Sequence, residues 1–544
     1  MPANTSDDGT TDRDQEILDY IETHGSGPKS IKGVLSNLKR AAEKNEEQRL
    51  KYEAEPLKFL ESEEILFNAI GEVSLLTLED QWFEDLLNSG AVEILVALIN
   101  HENTDIVAAV LQLFAELSSA NEVATSEEMS SSESTLFCRH LLDQNIIDTI
   151  GDHLTATAVV SDPEDLNWVY WCVNFLDELE EVETSQGVEE SHVASSLAVS
   201  KFLFEIIGKS RSNEIRPTKA ACMEMLFKVL SRAPQILKVV MGGDSIHEQM
   251  ERLDLLLNEA SKYRDRIPQG ALEKEYASNL FNVINLVVSD QSMKKHLYEL
   301  EGIELFSKLL KGPFWTRGHA LNAIDHALRG FSKDLASILA NPSDCKTFCK
   351  ILKKSNSGKI TIVNEKPRFT VIAILATMLA SLPLNGTYRD TIVVAMTGTG
   401  SEVLQKVLQL RALVDTEVTE IRRKIEQERQ DALREEKSSE DDMWLAEINW
   451  EQDLATAGAE NLFNCDMLLG QLLTDVSRKT VEFVRNEMQK VGVQQDSILE
   501  SLQIHLKDDE LAMEKEEKGH WFDNLSSQIR VEKALIEYLE NKLI

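Results

Sequence analysis

The stretch of sequence that decides the fold is residues 86–118, LLNSGAVEILVALINHENTDIVAAVLQLFAELS. Apolar residues recur at helical spacing within 90–100 and again within 104–117, and the polar run 101–104 separates the two halves. We therefore predict two amphipathic helices. The second has Thr104 as its N-cap and Asp105 in its first turn, where the helix dipole favours a carboxylate. Each helix is too apolar on one side to stand alone, so the pair needs a similar pair on either side, as in a helical solenoid.

Similar helical pairs recur along the chain after this stretch. The second helix of each pair is the more apolar, which is typical of the inner row of a solenoid. The unit is close to the ~40–47 residues of HEAT and armadillo repeats, and turn signals such as Gly90 and Gly302 favour the armadillo type. The predicted pairs are 145–154 with 163–181, 196–207 with 216–230, 246–260 with 272–288, 302–310 with 319–328, and 344–352 with 369–382. We therefore predict an all-α fold, an armadillo/HEAT-like helical solenoid.

The composition agrees with long helices and argues against two classes of protein. The 544 residues include only 11 Pro and 24 Gly, and 42 % are hydrophobic, which is too apolar for a disordered chain. Lys and Arg number 56 against 93 Asp and Glu, a formal charge of −37 at pH 7. Such a surface repels phosphate backbones, so we expect no direct binding of nucleic acid. It attracts basic partners, or it serves only to keep a large protein in solution.

Three further features of the sequence concern the compartment. The six cysteines are widely spaced and lie mostly within apolar runs, which predicts buried thiols in a reducing compartment. No apolar run approaches the length of a membrane span, so we expect no membrane partner. The acidic, polar N-terminus has the character of neither a signal peptide nor a transit peptide.

We predict four parts of the chain. Residues 1–28 form a polar disordered tail, 29–85 are N-terminal capping helices, 86–400 are armadillo-type repeats, and 401–544 are atypical C-terminal helical repeats and a cap. Within the repeats, 122–135 is predicted to be an exposed acidic, Ser-rich loop. The charged helices within 30–60 form either a solvated face or an intermolecular or capping arm. The charged helix over 403–434 either pairs with a copy of itself or packs back on the array, so self-association stays open.

The sequence lacks motifs for catalysis. The eleven histidines show no HExxH or comparable spacing, a P-loop is missing, and no nucleophile sits on a recognisable elbow. The Gly-rich run 397–400 lacks the lysine of a phosphate-binding loop. Cys345 and Cys349 lack the two further ligands that a zinc site needs, and His326 has the setting of a satisfied core histidine. We therefore predict a binding scaffold that is not an enzyme and has no cofactor and no metal.

A solenoid binds its partners along the row of inner helices, where peptide-binding armadillo arrays carry the repeated pattern W-x-x-x-N. We placed this register by aligning the leucine that follows the asparagine. The chain lacks a regular series of Trp and Asn at these positions. It has instead a partial series of polar residues and carboxylates, which suits a short Lys/Arg-rich segment. The alternative is that these are ordinary solvated residues of the inner face. The predicted peptide-binding residues are Gln112 with Glu116, Asn174 with Glu178 and the flanking Trp171, and Phe281 with Asn285.

Several segments, taken in order, span most of the chain and resemble one family. The most specific is LKR at 38–40 followed after eight residues by RLKYEAEPLKFLESE, together 38–63, because this segment is followed closely by the armadillo-like repeat at 89–117. Further matches are EGIELFSKLL at 301–310, ALNAIDHALRG at 320–330 and the terminal EKALIEYLENKLI at 532–544. In these segments the chain resembles the catenin beta-like protein 1 family.

The resemblance implies an armadillo fold with N-terminal capping helices, nuclear residence and association with the spliceosome's NineTeen complex in pre-mRNA splicing. It implies partners that carry basic nuclear-localisation-type segments, namely splicing factors such as the cell-division-cycle-five-like protein. The chain departs from the family pattern because residues 1–28 hold no Lys/Arg cluster, so we expect import into the nucleus together with a partner. The alternative is a cytoplasmic armadillo adaptor in transport or in cytoskeletal or adhesion complexes.

Overall fold

The computed structural model of the chain describes residues 31–543 except 79–81, 120–132, 158–166, 187, 189–190, 210–214, 233, 355–360, 399, 436–439 and 516–521. The chain divides into two compact units, Met1–Arg211 (unit 1) and Ser212–Ile544 (unit 2). The regular elements of the described residues are all helices, with no strand among them, so the all-α prediction is confirmed. The predicted tail 1–28 lies outside the described residues, and so does the predicted loop 122–135 up to residue 132.

The α-helices of unit 1 are numbered in chain order. Two short 3₁₀ helices, Pro56–Lys58 and Ser74–Leu78, lie on either side of the helix Leu60–Val73 in the sequence. The last three residues of the predicted Ser-rich loop, 133–135, are not loop but the first turn of a helix. The α-helices are α1 (Ile31–Lys51), α2 (Leu60–Val73), α3 (Trp82–Asn88), α4 (Ala91–Leu98), α5 (Thr104–Ser119), α6 (Glu133–Asp143), α7 (Ile146–Thr157), α8 (Asn167–Ser185), α9 (His192–Ser195) and α10 (Leu197–Lys209).

Unit 2 continues the numbering, with a short 3₁₀ helix at Pro234–Ile236. Its α-helices are α11 (Pro217–Arg232), α12 (Leu237–Val240), α13 (Ile246–Ser261), α14 (Gly270–Ser289), α15 (Gln291–Glu299), α16 (Gly302–Leu310), α17 (Phe314–Leu328), α18 (Lys333–Leu339), α19 (Pro342–Lys353), α20 (Ile362–Ser381), α21 (Thr387–Thr397), α22 (Glu402–Glu435), α23 (Glu440–Thr456), α24 (Ala459–Leu473), α25 (Arg478–Lys490), α26 (Gln495–Lys515) and α27 (Phe522–Leu543).

The deciding stretch folds as the predicted pair, α4 and α5, but the cap of α5 differs by one residue. The helix begins at Thr104, and the Oδ1 atom of Asn103 accepts a hydrogen bond of 2.9 Å from the backbone N–H of Asp105. A short amide side chain reaches a backbone N–H two residues on, so Asn103 rather than Thr104 caps the helix. Gly90 precedes α4 with φ of 72°, in the left-handed region that favours glycine.

The second helix of each predicted pair lies in an inner row, as expected. In unit 1, α5 contacts α2 on one side and α8 on the other. In unit 2 the row runs through α11, α14, α17, α20 and α24, each in contact with the next. The α5–α8 contact buries apolar side chains such as Phe114 and Phe175, whose ring centroids lie 5.3 Å apart. Burial of such a side chain contributes about 1.5–3 kcal/mol, which explains why each helix needs its neighbours.

Some helices of unit 2 begin earlier than predicted, because proline and polar residues in their first turns interrupt the apolar pattern. α17 begins at Phe314, directly after Pro313, and not at 319. α20 begins at Ile362, not at 369, and contains Pro367; the Thr361 hydroxyl caps it by accepting from the N–H of Asn364. The helices α15, α18 and α21 were not expected, since each is short and lies beside a stronger apolar segment.

The predicted division at residue 400 falls inside unit 2, where helices on both sides of it contact each other. The charged helix α22 packs against α19, α20, α21 and α24 through an apolar side that includes Val403, Leu404 and Val407. Of the two alternatives for this helix, the described residues show packing back on the array. Self-association remains a prediction.

The last two helices, α26 and α27, form a hairpin that packs on α24. The approach is close at Gly470 of α24, where a Cβ atom would lie 3.1 Å from a methyl group of Leu535. The absence of a side chain at Gly470 therefore allows the hairpin to pack closely on α24.

The six cysteines are all buried with free thiols, as predicted. Burial raises the pKa of Cys138 and Cys349 to about 11, so both stay protonated at neutral pH. Within the described ranges, none of the helices combines the length and the apolar character that crossing a bilayer requires.

Candidate functional site

Three successive inner helices of unit 1 carry solvent-reaching stripes with the same spacing. Each stripe advances by four, three and four residues, which keeps its members on one side of a helix. We call the three stripes together the inner face of unit 1. They are Leu60, Glu64, Phe67 and Gly71 on α2, Asp105, Ala109, Gln112 and Glu116 on α5, and Asn167, Trp171, Asn174 and Glu178 on α8.

The beginnings of the three stripes meet in one cavity of about 510 Å³. Its lining includes Glu64 and Phe67 of α2, Asp105 and Gln112 of α5, and Asn167 of α8. The cavity shows that the stripes open on the same side of unit 1, at the end where these helices begin.

The inner face combines exposed apolar side chains with negative charge. Leu60 and Phe67 are 58 % and 47 % exposed and both line the cavity, so they present apolar surface there. The twelve positions of the stripes include four carboxylates, on Glu64, Asp105, Glu116 and Glu178, and neither Lys nor Arg. A surface of this kind suits a ligand with both methylene groups and positive charge, as in the lysine and arginine side chains.

The structure brings two of the predicted site residues into direct contact. The Nε2 atom of Gln112 donates a hydrogen bond of 3.0 Å to Oε1 of Glu116 on the next turn of α5. This contact orients the carboxylate on the inner face, beside the helix that carries Asn174 and Glu178.

Trp171 and Trp168 have different roles although they lie one turn apart on α8. Trp171 is half-buried on the inner face, and its ring meets that of Tyr170 edge to face at 5.2 Å. Trp168 is buried, and its ring stacks on that of Phe202 in α10. Trp168 therefore belongs to the core, and Trp171 is the indole that a ligand can reach.

A polar network holds α1 and α2 behind the cavity. The buried Asn45 donates to the Ser62 hydroxyl over 3.1 Å, and its Oδ1 lies 3.1 Å from Nε2 of His101. Glu63 pairs with Arg49 and accepts a hydrogen bond of 2.8 Å from Asn103. The network connects α1 and α2 to the turn before α5.

The predicted residues of unit 2 do not lie on an accessible face. Phe281 is fully buried, stacks on His319 at 4.9 Å and meets Trp315 edge to face at 6.1 Å. Asn285 is only 8 % exposed, and its Oδ1 atom accepts no hydrogen bond. The register was set from sequence letters alone and could not detect burial. The half-buried positions of α14 are instead those at 273, 278, 279, 282 and 286.

The last helix covers part of the inner row of unit 2. A cavity of about 260 Å³ lies between the inner helices α17, α20 and α24 and the hairpin α26–α27. Its lining includes Asp325 and Arg329 of α17 opposite Asn524 and Gln528 of α27. Burial raises the pKa of Asp325 to about 6, and Glu460 adds to the rise while Arg329 opposes it.

Two features of these sites were not predicted from the sequence. Glu64, Phe67 and Asp105 join Gln112 on the inner face only because separate helices pack side by side. His505, Asp509 and Glu532 come together from two helices within the described part of the chain. A histidine and a carboxylate four residues apart on α26 are the signal that could have pointed to this cluster.

The armadillo-type order of the helices agrees with a comparison against known families. The profile of a family described as "Catenin-beta-like, Arm-motif containing nuclear" matches residues 15–506. The chain belongs to this catenin-beta-like family. The predicted family resemblance and the armadillo-type solenoid are thereby confirmed, and the chain is an armadillo-type scaffold of a family described as nuclear.

Relatives of this catenin-beta-like chain are found in mammals and in fission yeast. Beta-catenin-like protein 1 of Mus musculus is 24 % identical over 437 residues, covering 76 % of this chain and 70 % of the relative. The Beta-catenin-like protein 1 homolog of Schizosaccharomyces pombe is 25 % identical over 394 residues, covering 69 % and 63 %. Among solved structures, a designed armadillo repeat protein aligns with 60 % of this chain at 12 % identity and a TM-score of 0.32.

Proposed function

We propose that this catenin-beta-like protein is a non-catalytic scaffold of the spliceosome-associated NineTeen complex in pre-mRNA splicing. In this proposal the inner face of unit 1 binds basic nuclear-localisation-type segments of splicing factors, such as the cell-division-cycle-five-like protein. The protein works in the nucleus, which it reaches together with a partner.

The observation that carries the proposal is the inner face of unit 1. Four carboxylates, an accessible indole at Trp171 and the amide of Asn174 lie on neighbouring inner helices, next to a cavity of about 510 Å³ with exposed apolar walls. Carboxylates attract Lys and Arg head groups, while an indole and apolar walls contact their methylene stems. Amide side chains supply hydrogen bonds to an extended backbone.

The charge of the whole chain supports the same kind of ligand. At −37 the protein speeds the encounter with a basic segment, and this attraction weakens as salt screens it. Phosphate backbones are repelled by the same field, so we propose a protein partner and not a nucleic acid.

The experiment is a binding titration with a fluorescently labelled Lys/Arg-rich segment of the cell-division-cycle-five-like protein. We expect Glu116→Lys combined with Glu178→Lys to weaken binding at least tenfold, because two attractive charges become repulsive. Affinity of the wild-type protein falls as salt rises from about 50 mM to 500 mM, across which the Debye length shortens severalfold.

The matched control is Glu46→Lys combined with Glu93→Lys, which changes the net charge equally at exposed positions of α1 and α4 outside the inner face. Binding that weakens equally in both double variants indicates general charge attraction and rejects the inner face as the site. Circular dichroism and thermal unfolding check that both variants fold.

Localisation and purification test the cellular part of the proposal. We expect the tagged protein in the nucleus, and affinity purification with mass spectrometry to recover NineTeen-complex and other spliceosomal proteins. Exclusion from the nucleus, together with recovery of transport, cytoskeletal or adhesion proteins, favours a cytoplasmic armadillo adaptor instead.

A further inference from the structure

The hairpin α26–α27 of unit 2 contains a buried cluster of one histidine and two carboxylates. His505 and Asp509 lie one turn apart on α26, and Glu532 faces them from α27. The Nδ1 atom of His505 is 3.4 Å from Oε1 of Glu532 and 3.7 Å from Oδ2 of Asp509. One nitrogen and two carboxylate oxygens thus lie within 4.8 Å of one another.

These atoms approach each other without forming hydrogen bonds of good geometry. An N–H···O hydrogen bond usually measures about 2.9–3.0 Å, which is clearly shorter than the two separations at His505. Glu532 is 0 % exposed, and neither of its carboxylate oxygens accepts a hydrogen bond, nor does Nδ1 of His505 take part in one. A buried carboxylate without donors is costly, and a cation bound between the three side chains would offset that cost.

The separations agree with ligands around a small cation. Atoms bound at about 2.0–2.1 Å from a tetrahedral zinc ion lie roughly 3.4 Å apart, close to the 3.4 Å and 3.7 Å seen here. The spacing of four residues between His505 and Asp509 puts both on one side of α26, as metal-binding pairs on helices require.

Neighbouring side chains hold the three ligands in place. The Phe463 ring lies parallel to the His505 ring, with centroids 3.7 Å apart. The Nε2 atom of Gln528 donates a hydrogen bond of 2.9 Å to Oδ2 of Asp509. Such outer contacts orient ligands in known metal sites. His505 and Gln528 also line the cavity of about 260 Å³, from which water can complete the coordination.

The charges close to the cluster are negative. Asp509 and Glu532 belong to it, and Asp508 precedes Asp509 on α26. A site of this charge attracts a divalent cation.

We propose that His505, Asp509 and Glu532 bind one divalent transition-metal ion, with Zn²⁺ as the preferred ion. A neutral imidazole nitrogen beside two carboxylates suits Zn²⁺ or Mn²⁺, whereas Mg²⁺ and Ca²⁺ prefer oxygen ligands throughout. The ion joins α26 to α27 and stabilises the hairpin that covers the inner row of unit 2.

The test is a calorimetric titration of the untagged, full-length protein after removal of metal with a chelator. We expect a single Zn²⁺ ion per chain, weaker binding of Mn²⁺, and a rise of several degrees in the unfolding temperature with Zn²⁺. Co²⁺, used as a probe, is expected to give the visible absorption of a four-coordinate site with nitrogen and oxygen ligands.

Glu532→Gln is the decisive variant, and Glu537→Gln is its matched control at an exposed position of the same helix. Glu532→Gln removes a buried charge, so without metal it unfolds at the wild-type temperature or above it, while its affinity for Zn²⁺ falls at least tenfold. Glu537→Gln keeps the wild-type affinity. Because the six cysteines are present in every variant, the difference isolates the cluster. Equal Zn²⁺ affinity in both variants, or a wild-type protein that takes up no Zn²⁺, overturns the proposal.

Discussion

The side chain of Asn524 donates a hydrogen bond of 3.1 Å to the backbone carbonyl of Ser289, although 235 residues separate them in sequence. The other side of the same amide accepts a hydrogen bond of 2.6 Å from Nε2 of Gln291. One asparagine thus fixes the beginning of α27 to the junction of α14 and α15, and the hairpin α26–α27 closes over the inner row of unit 2.

Replacing Asn524 is expected to loosen this closure. Asn524→Leu removes both hydrogen bonds and leaves a buried carbonyl without its donor, which costs about 1–3 kcal/mol. We expect faster amide hydrogen exchange in 522–543 and little change in α11 and α13. Arg530→Gln, at an exposed position of α27, is the control and leaves exchange unchanged. Unaltered exchange in Asn524→Leu contradicts the role of this contact.

Gly330 is expected to be as important as Asn524 for the same closure. It has φ of 75°, and a Cβ atom there would lie 1.5 Å from Nε2 of Gln291 and 2.4 Å from Oδ1 of Asn524. Gly330→Ala therefore combines backbone strain with displacement of the Gln291–Asn524 hydrogen bond.

The cost of displacing the Gln291–Asn524 hydrogen bond can be separated from backbone strain by comparison with a second glycine. Gly492 has φ of 78° and open space around its Cα, so Gly492→Ala measures the strain of about 1–2 kcal/mol alone. We expect Gly330→Ala to lower the free energy of unfolding by at least about 1 kcal/mol more than Gly492→Ala in chemical denaturation. An equal loss of unfolding free energy in the two variants means that Gln291 and Asn524 move aside without destabilising the protein.

His326 makes the stability of unit 2 depend on pH. Burial, together with Arg329 and Lys294, lowers the pKa of His326 to about 3, and its Nδ1 lies 2.7 Å from the Ser289 hydroxyl. Since the folded pKa lies below the unfolded value of about 6.5, the unfolded chain binds more protons as pH falls from about 6.5 towards 3. The contribution of His326 is therefore present above pH 6.5 and is lost on acidification through this window.

The comparison of wild type with His326→Gln isolates this residue from the carboxylates that titrate nearby. We expect the fall in unfolding free energy between about pH 6 and pH 4 to be smaller in His326→Gln, by up to about 1.4 kcal/mol per pH unit. Urea denaturation across a series of buffers measures both slopes. Parallel slopes show that His326 does not titrate in this range.

Local sequence patterns were enough to predict most of the fold. Apolar residues at helical spacing recur in every repeat, and so the pairs built on 90–117 and 302–328 were found from short windows. The predicted cap of α5 was one residue too late, and the predicted start of α20 was seven residues too late. The cap depends on a hydrogen bond of the Asn103 side chain, and α20 continues through Pro367, neither of which residue type alone reveals. The contact of Asn524 with Ser289 has no local signature, since only the fold brings the two together.

The candidate site was predicted only in part, for a physical reason. Spacing along one helix identifies which residues share a side, and this placed Gln112 with Glu116 and Asn174 with Glu178 on the inner helices. Whether a side is open depends on the helices packed against it. The repeat register therefore predicted Phe281 and Asn285 as site residues, although neighbouring helices bury both of them.

Arg389 is expected to be indispensable for the stability of unit 2. Its guanidinium is 1 % exposed and donates to the backbone carbonyls of Leu379 at the end of α20 and of Gln471 in α24, the latter at 2.7 Å. Arg389→Met leaves both carbonyls without this donor and lowers the unfolding free energy by about 2–5 kcal/mol. Arg389→Lys restores only part of the loss, because one ammonium cannot reproduce the planar fork. Arg423→Met, at an exposed position of α22, changes little and serves as the control in guanidinium denaturation. A loss in Arg389→Met no larger than in this control shows that water replaces the guanidinium at both carbonyls.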